Sequence, residues 1–232
     1  MQTKQLLESY IAGERVFHEA ILRDAYLEHV SLVDVHFLHA DLRDSNFTRA
    51  DLRHAKLSFA NCRGANLSES CLIGAQLLHA DLSWASLVLT DLSMSDLGHA
   101  VMRGTNLVGA NLNRSQLHHA NLADAKLVGA DLSYADFRDA KLNGAHMNTA
   151  HGYSACFARA NLAEARLVGA CLRLANFSQA TLRGANLEKA DLRGANLKGA
   201  DLSEAILCEA NLEGANLEGA IFDRAVRFFV RQ

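Results

Sequence analysis

Proline is absent from this sequence of 232 residues, although an average composition would supply about a dozen. Nothing in the chain resembles a proline- and serine-rich linker, so a single domain is expected. No apolar run reaches the roughly 18 residues that a membrane-spanning helix needs, which excludes such a helix. The opening MQTKQLLESYIAGERV lacks the apolar core and cleavage site of a signal peptide. These absences predict a cytoplasmic protein without a membrane partner.

The net charge is small, and the spacing of the cysteines shows no pairing pattern. The formal charge of −3 gives no general attraction to nucleic acid, so no nucleic-acid partner is expected. The five cysteines, an odd number at unrelated spacings, do not suggest a disulfide framework. The motifs G-x-S-x-G, C-x-x-C and H-E-x-x-H and the phosphate-binding loop are all missing. We therefore expect neither an enzyme nor a cofactor.

The sequence does contain a strict period of five residues. In steps of five from residue 20 to 220, 33 of 41 positions are alanine; two residues later, 31 of 41 are leucine and six are phenylalanine. Residues two apart on extended backbone point the same way, so both slots face inward. Twelve of the fifteen glycines lie two residues after the leucine, which predicts a corner with positive φ.

This pattern resembles the pentapeptide-repeat family, whose unit is A(D/N)LXX, over residues 20 to 224. The resemblance implies an all-β solenoid: a right-handed quadrilateral β-helix of about ten coils, with four pentapeptides per coil. Within a single domain over 1–232, we predict an N-terminal helical cap at 1–14, repeat coils at 15–225 and a C-terminal plug at 226–232. A monomer is favoured over a dimer joined through the plug. The family is mostly non-catalytic.

Both ends of the chain carry apolar residues outside the period. Leu6, Leu7, Tyr10 and Ile11 have the spacing of one helix face, and Gly13 is suited to ending that helix. At the other end, Val226, Phe228, Phe229 and Val230 form the predicted plug. The two segments are expected to cover the ends of the coil.

In a 20-residue coil, outward residues twenty apart form straight columns, and three of these are candidate sites. A flat apolar column beside Leu89 is the first candidate for partner binding; it comprises Val88, Val108, Val128 and Val168. The second is a column of guanidinium groups suited to an acidic partner; it comprises Arg23, Arg43, Arg63 and Arg103. Asp24 and Asp44 lie beside that column, so the alternative to partner binding is local ion pairing between these aspartates and the arginines.

The third column is histidine. His79, His99 and His119 are predicted to lie in consecutive coils, about 4.8 Å apart. They are weak metal candidates, since no cysteine shares their column, and a solvated ladder of neutral rings is the alternative. The pairing of His151 with Cys171 offers a weaker metal or thiolate hypothesis. Cys62 occupies a leucine slot and is expected in the core.

One core slot is broken, because Gly152 stands where the period requires leucine. The missing side chain predicts a void unless neighbours fill it. We expect an oversized ring among Phe137, Phe157 and Phe177, or an inward Tyr153, to fill this space, with a small pocket as the alternative.

Three functions compete. The favoured one is a non-enzymatic protein-interaction scaffold or regulator, and the opening LLESYIAGERVF is similar to cyanobacterial family members, which include a regulator of heterocyst differentiation. The second is a DNA mimic that protects gyrase, as in quinolone-resistance relatives. Mimicry requires a continuous acidic stripe, and the acidic column here is interrupted by Asn111 and His151; it consists of Asp51, Asp91, Asp131 and Asp191. The third is a metal-binding module built on the histidine column.

Overall fold

The computed structural model describes residues 2–226, and almost all of these residues belong to one winding coil. The helix α1 spans Thr3–Ile11, and the coil follows from Val16 onward. Every bridge of the coil is parallel and joins a residue to the one twenty positions later, from Val16↔His36 to Ile206↔Val226. Each side of a coil contributes a single bridge residue, at the Asn/Asp slot of the repeat, and no longer strand.

Three backbone hydrogen bonds per pentapeptide hold adjacent coils together. In the middle of the chain, the Leu112 N–H donates to the Asp131 carbonyl at 2.7 Å, and the Asp131 N–H donates to the Ala110 carbonyl at 3.0 Å. The corner N–H of Arg114 donates to the Ser133 carbonyl at 3.0 Å. The short bridges therefore satisfy the buried backbone as fully as longer strands would.

The corners confirm the prediction of positive φ. All positions two after the inward leucine or phenylalanine, from Glu19 to Arg224, have φ between 53° and 68°. The alanine N–H that follows each corner donates back to the leucine carbonyl, as Ala135 does to Leu132 at 3.0 Å, which is the bond of a β-turn. Non-glycine residues pay about 1–2 kcal/mol for this conformation, which explains why glycine is enriched at the corner.

The core is the interior of the coil, and it contains the predicted alanine and leucine slots. Leucines such as Leu112 and Leu127 have no exposed surface. Three of the core rings share one column, in which Phe137, Phe157 and Phe177 stack at centroid separations of 4.9 Å. Leucine-slot residues in the last coil, such as Leu217 and Phe222, are only partly buried.

Hydroxyl residues replace alanine at six buried inward slots without leaving unpaired polar groups. Ser95 Oγ donates to the Leu92 carbonyl at 2.6 Å in its own coil, whereas Thr90 Oγ1 donates to the Leu67 carbonyl in the preceding coil at 2.7 Å. No buried side-chain nitrogen or oxygen in residues 2–226 lacks a hydrogen-bond partner. The interior therefore tolerates small polar side chains when a turn carbonyl is within reach.

The N-terminal helix packs on the core through part of the face predicted for it. Leu6 is fully buried, and Leu7 and Tyr10 pack against the core while partly exposed. Including Ile11 in this face was wrong, because Ile11 is 84% exposed. It lies about 140° around the helix from the fully buried Leu6, at the edge of the face beyond Leu7, so its side chain points toward solvent. Gly13, with φ of 100°, follows the helix as predicted.

The break at Gly152 is filled, but not by the residues that we expected. A Cβ built on the buried Gly152 would lie 2.9 Å from Leu172 Cδ2, so the leucine of the next coil occupies the vacant space. Phe157 instead stacks within its own column, and Tyr153 remains 37% exposed, with its ring edge-on to Tyr134. Leu172 lies directly above the gap in the next coil, whereas Phe157 lies on the adjacent side of the same coil and is farther from it.

The predicted C-terminal plug falls largely outside the described residues. Val226 is the exception, and it forms a bridge with Ile206 while its side chain is 38% exposed. Within the described part of the chain, no helix is long and apolar enough to cross a membrane.

Candidate functional site

The valine column forms a strip at one edge of a β-helix face. Val88, Val108 and Val128 lie in consecutive coils, since the N–H groups of Leu89 and Gly109 donate to the carbonyls of Val108 and Val128 at 3.0 Å. Leu89 is 62% exposed and Val128 is 36% exposed, whereas Val88 and Val108 are half-buried. These three valines with Leu89 are called the valine strip below.

Leu89 extends the valine strip toward the next coil. Its Cδ2 would lie 2.7 Å from a Cβ built on Gly109, so the leucine side chain rests on the glycine corner. The predicted fourth member, Val168, is separated from the strip by Asn148, whose Oδ1 accepts the Val168 N–H at 3.1 Å. The apolar surface is therefore contiguous over three coils and then interrupted by an amide.

The arginine column is neutralised, but by carboxylates other than those expected. Arg23 and Arg43 both bind Asp41, at 2.5 Å and 2.8 Å. Farther along, Arg63 pairs with Asp81 at 3.5 Å and Arg103 with Asp124 at 3.6 Å. Pairing of this column with Asp24 and Asp44 was wrong for the first two arginines, because both reach the bridge-slot aspartate on the side of the coil.

A shallow groove of about 340 Å³ crosses the arginine column beside Trp84. Its walls include Arg43 and Arg63, and Gly64 and Ser83 also line it. The Trp84 ring lies across the neighbouring glycine corner, with Cζ3 2.3 Å from a Cβ built on Gly104. Since the arginines are already paired, the groove presents no strong positive charge.

The histidine column forms a stack of aromatic rings on one corner of the coil. His79, His99 and His119 are parallel within about 20°, with centroids 4.8 Å apart, and Phe59 continues the stack at 4.9 Å from His79. His118 meets the stack edge-on, 5.6 Å from His99. Parallel rings direct their nitrogen lone pairs side by side instead of toward one point.

This arrangement gives little support to metal binding. Within residues 2–226, no group of three or more His, Cys, Asp or Glu side chains is placed to hold a metal ion. The pKa of His99 is lowered by burial first, and then by the neighbouring His119, His79 and His118 charges, while Asp96 acts in the opposite direction. The surroundings of His99 therefore favour its neutral form.

His99 should make the fold more sensitive to acid. Because the pKa of His99 is lowered in the folded state, the unfolded chain binds its proton first as pH falls below about 6.5. Stability is therefore lost between that pH and the lower folded-state pKa. Thermal unfolding at pH 7.5 and 5.5 should show a smaller acid-induced decrease for His99→Gln than for the unmodified protein. Equal decreases in both would contradict this origin.

The acidic column is not a continuous negative stripe. Asp51 accepts hydrogen bonds from Nε and Nη2 of Arg53, at 2.9 and 2.7 Å, and this hydrogen bonding lowers the Asp51 pKa. Arg193 holds Asp191 in the same way, at 2.8 and 2.6 Å, and likewise lowers its pKa. Two of the four carboxylates thus carry a paired cation, which works against imitation of a phosphate backbone.

The structure bears on two cysteine predictions, the burial of Cys62 and the pairing of Cys171 with His151. Cys62 is 2% exposed, and burial raises the pKa of its thiol to about 12, which confirms its place in the core. His151 and Cys171 are bridged in adjacent coils, but they are not part of a metal-binding group within the described chain.

Sequence reasoning overlooked the basic residues beside the valine strip. Lys126, His146 and Arg166 occupy bridge slots in consecutive coils, and Lys126 and Arg166 are both exposed. Neither of these two cations forms an ion pair in the part of the chain that the structure describes. Their spacing of twenty residues was visible in the sequence, but the absence of a counter-charge was not.

Comparison with known proteins places the coil in a family. A family model of pentapeptide repeats matches eight overlapping segments, which are residues 20–58, 45–83, 55–93, 95–133, 110–148, 130–167, 160–199 and 185–224. A search of curated proteins found no match.

Solved structures of pentapeptide-repeat proteins are also similar to this chain. HetL, involved in heterocyst differentiation regulation in the cyanobacterium Nostoc sp. strain PCC 7120, is 32% identical; the match covers 97% of this chain and 94% of HetL, with a TM-score of 0.43. The Nostoc PCC 7120 protein alr5209 is 33% identical over 48% of this chain and 82% of its own, with a TM-score of 0.29. QnrB1, a plasmid-mediated fluoroquinolone resistance protein, is 19% identical over 90% of this chain and 92% of its own, with a TM-score of 0.31. On the match of the family model to its repeats, the chain belongs to the pentapeptide-repeat family.

Proposed function

We propose that this chain is a non-enzymatic interaction scaffold or regulator, and that it binds a protein partner on the valine strip. The observation that carries the proposal is the contiguous apolar surface of Val88, Val108, Val128 and Leu89 on three consecutive coils. Contiguous exposed apolar surface marks contact sites, whereas scattered apolar residues do not.

The scaffold is a rod of about ten coils, closed at its N-terminal end by α1. Bridges in steps of twenty from Val16 to Val226 support this number of coils. The burial of Leu6 supports a capping role for the helix, because an uncovered end coil would expose its core. Such a rod presents partner-binding side chains at fixed spacings on flat, rigid faces.

A narrower form of the proposal is an adaptor in cyanobacterial signalling or differentiation, acting in the cytoplasm as a monomer. The sequence feature that favours it is the N-terminal segment, in which a short helix ends at Ala12-Gly13 and Arg15 precedes the first coil. In the structure the Arg15 guanidinium packs over the Tyr10 ring, 3.9 Å from its centroid, and donates to the Tyr10 carbonyl at 2.8 Å. The helix and the coil are thereby held together.

The test is affinity purification from the native cell, comparing the unmodified protein with Val108→Glu and Val128→Glu. A charge on the valine strip should remove its specific partners, because a carboxylate cannot be buried cheaply against an apolar surface. Val101→Glu is the control, since Val101 is similarly exposed, at 39%, but lies on another face. An unchanged set of partners in the two strip variants would exclude the valine strip as the binding site.

A further inference from the structure

A second surface lies on the same face as the valine strip, two residues earlier in each repeat. Bridges join Lys126 to His146 and His146 to Arg166, so the three side chains stand in line on consecutive coils. Because each coil rises by about 4.8 Å, Lys126 and Arg166 lie about 9.6 Å apart along the axis. We call this line the basic ladder.

The cations at its two ends are not neutralised locally. Asp124, the acidic corner residue that precedes Lys126, pairs instead with Arg103 at 3.6 Å. At the other end, the Glu164 side chain rests against the next coil, with its Cγ 3.6 Å from a Cβ built on Gly184. Among residues 2–226, eleven of the fifteen arginines form ion pairs, and Arg166 is one of the four that do not.

Small and polar residues border the basic ladder at the corners of the coil. Ala123, Gly129, Gly144, Ala163 and Gly169 are small, whereas Asp124, Asn143, Thr149 and Glu164 are larger and polar. Each terminal cation also has a valine two residues later, Val128 beside Lys126 and Val168 beside Arg166. The face thus combines two accessible positive charges with two valines, which Asn148 separates.

From these contacts we infer that the basic ladder and the adjoining valines bind an acidic amphipathic helix of the protein partner, laid along the axis of the rod. This inference rests on the proposed function and names the kind of partner. Residues seven apart on a helix are separated by about 10.5 Å, close to the separation of Lys126 and Arg166. On an extended strand, side chains on one side are separated by about 6.7 or 13 Å, and neither value matches the separation of Lys126 and Arg166 as closely.

Charge and geometry favour such a helix over nucleic acid. The chain carries a net charge of −3, so it has no general attraction to a phosphate backbone. A helix about 10 Å wide can place glutamates on the ladder and apolar side chains on the valines. The partner helix should therefore carry glutamates at heptad spacing with leucines on the adjacent side.

The test uses a 21-residue peptide of three heptads with glutamates and leucines in that arrangement, and measures its binding to the whole protein by fluorescence anisotropy. The double variant Lys126→Gln, Arg166→Gln should bind the peptide about three- to tenfold more weakly. The control is Lys56→Gln, Lys141→Gln, which removes the same charge from unpaired lysines on two other faces. It should stay within about twofold of the unmodified protein, because distant charges are screened at 0.15 M salt.

Several results would overturn the inference. These are no binding of the peptide to the unmodified protein, equal weakening in the two double variants, or undiminished binding of a peptide with glutamine in place of glutamate. Tighter binding of a twenty-nucleotide oligothymidylate, lost in the ladder variant, would assign the face to nucleic acid. If the valine-strip variants lose their partners but the ladder double variant binds the peptide as tightly as the unmodified protein, the proposed function stands and the acidic helix is rejected.

Discussion

Replacing Leu172 with alanine should destabilise the protein by about 5 kcal/mol, at the upper end of the range for buried leucines. Leu172 is fully buried and fills both its own slot and the space left by Gly152. Its truncation would join two voids in adjacent coils, and the residual cavity sets the size of the loss. Chemical denaturation with a fluorescence readout would measure the difference.

Leu187→Ala is the matched control for this prediction. Leu187 is equally buried and has Leu167 and Leu207 in the adjacent coils, so its loss should be nearer about 3 kcal/mol. A further arm is Gly152→Leu, which should destabilise the unmodified protein, because even its Cβ would lie 2.9 Å from Leu172 Cδ2. In the Leu172→Ala background the same change should restore stability. Destabilisation in both backgrounds would show that Leu172 does not fill the gap.

Replacing Phe157 with alanine should cost about 3–5 kcal/mol in the free energy of unfolding. The ring is fully buried and stacks on Phe137 and Phe177, each at 4.9 Å and within 8° of parallel. Alanine would remove both stacking contacts as well as the buried area. Denaturant unfolding of the purified variant is the measurement.

Phe157→Leu is the control for the stacked rings. Leucine is the common residue of this slot, so it should recover most of the loss, leaving about 1 kcal/mol for the stacking and the unfilled volume. If the leucine and alanine variants were equally unstable, the specific ring stack would matter more than the volume of the side chain. If neither were destabilised, the column would not be part of the close-packed core.

The local pattern was sufficient to predict which side chains point inward and where the corners lie. Leucine at every fifth position and alanine two residues before it follow from the two-residue alternation of extended backbone. Enrichment of glycine two residues after leucine predicted the positive φ now seen at every corner. Cys62 was assigned to the core by its slot alone, and its 2% exposure agrees. The family followed from the same repeat.

Contacts of individual side chains were not predictable from the five-residue pattern, because they depend on the direction that each side chain takes along or between the coils. Leu172 leans toward Gly152, and Arg23 and Arg43 converge on Asp41 instead of the adjacent corner aspartates. Asp124 likewise pairs with Arg103 and not with Lys126, although both lie within its reach along the sequence pattern. The repeat gives each residue a slot and a column, whereas the direction of a side chain within that column depends on the volume and charge of its neighbours, both in its own repeat and in the adjacent coils.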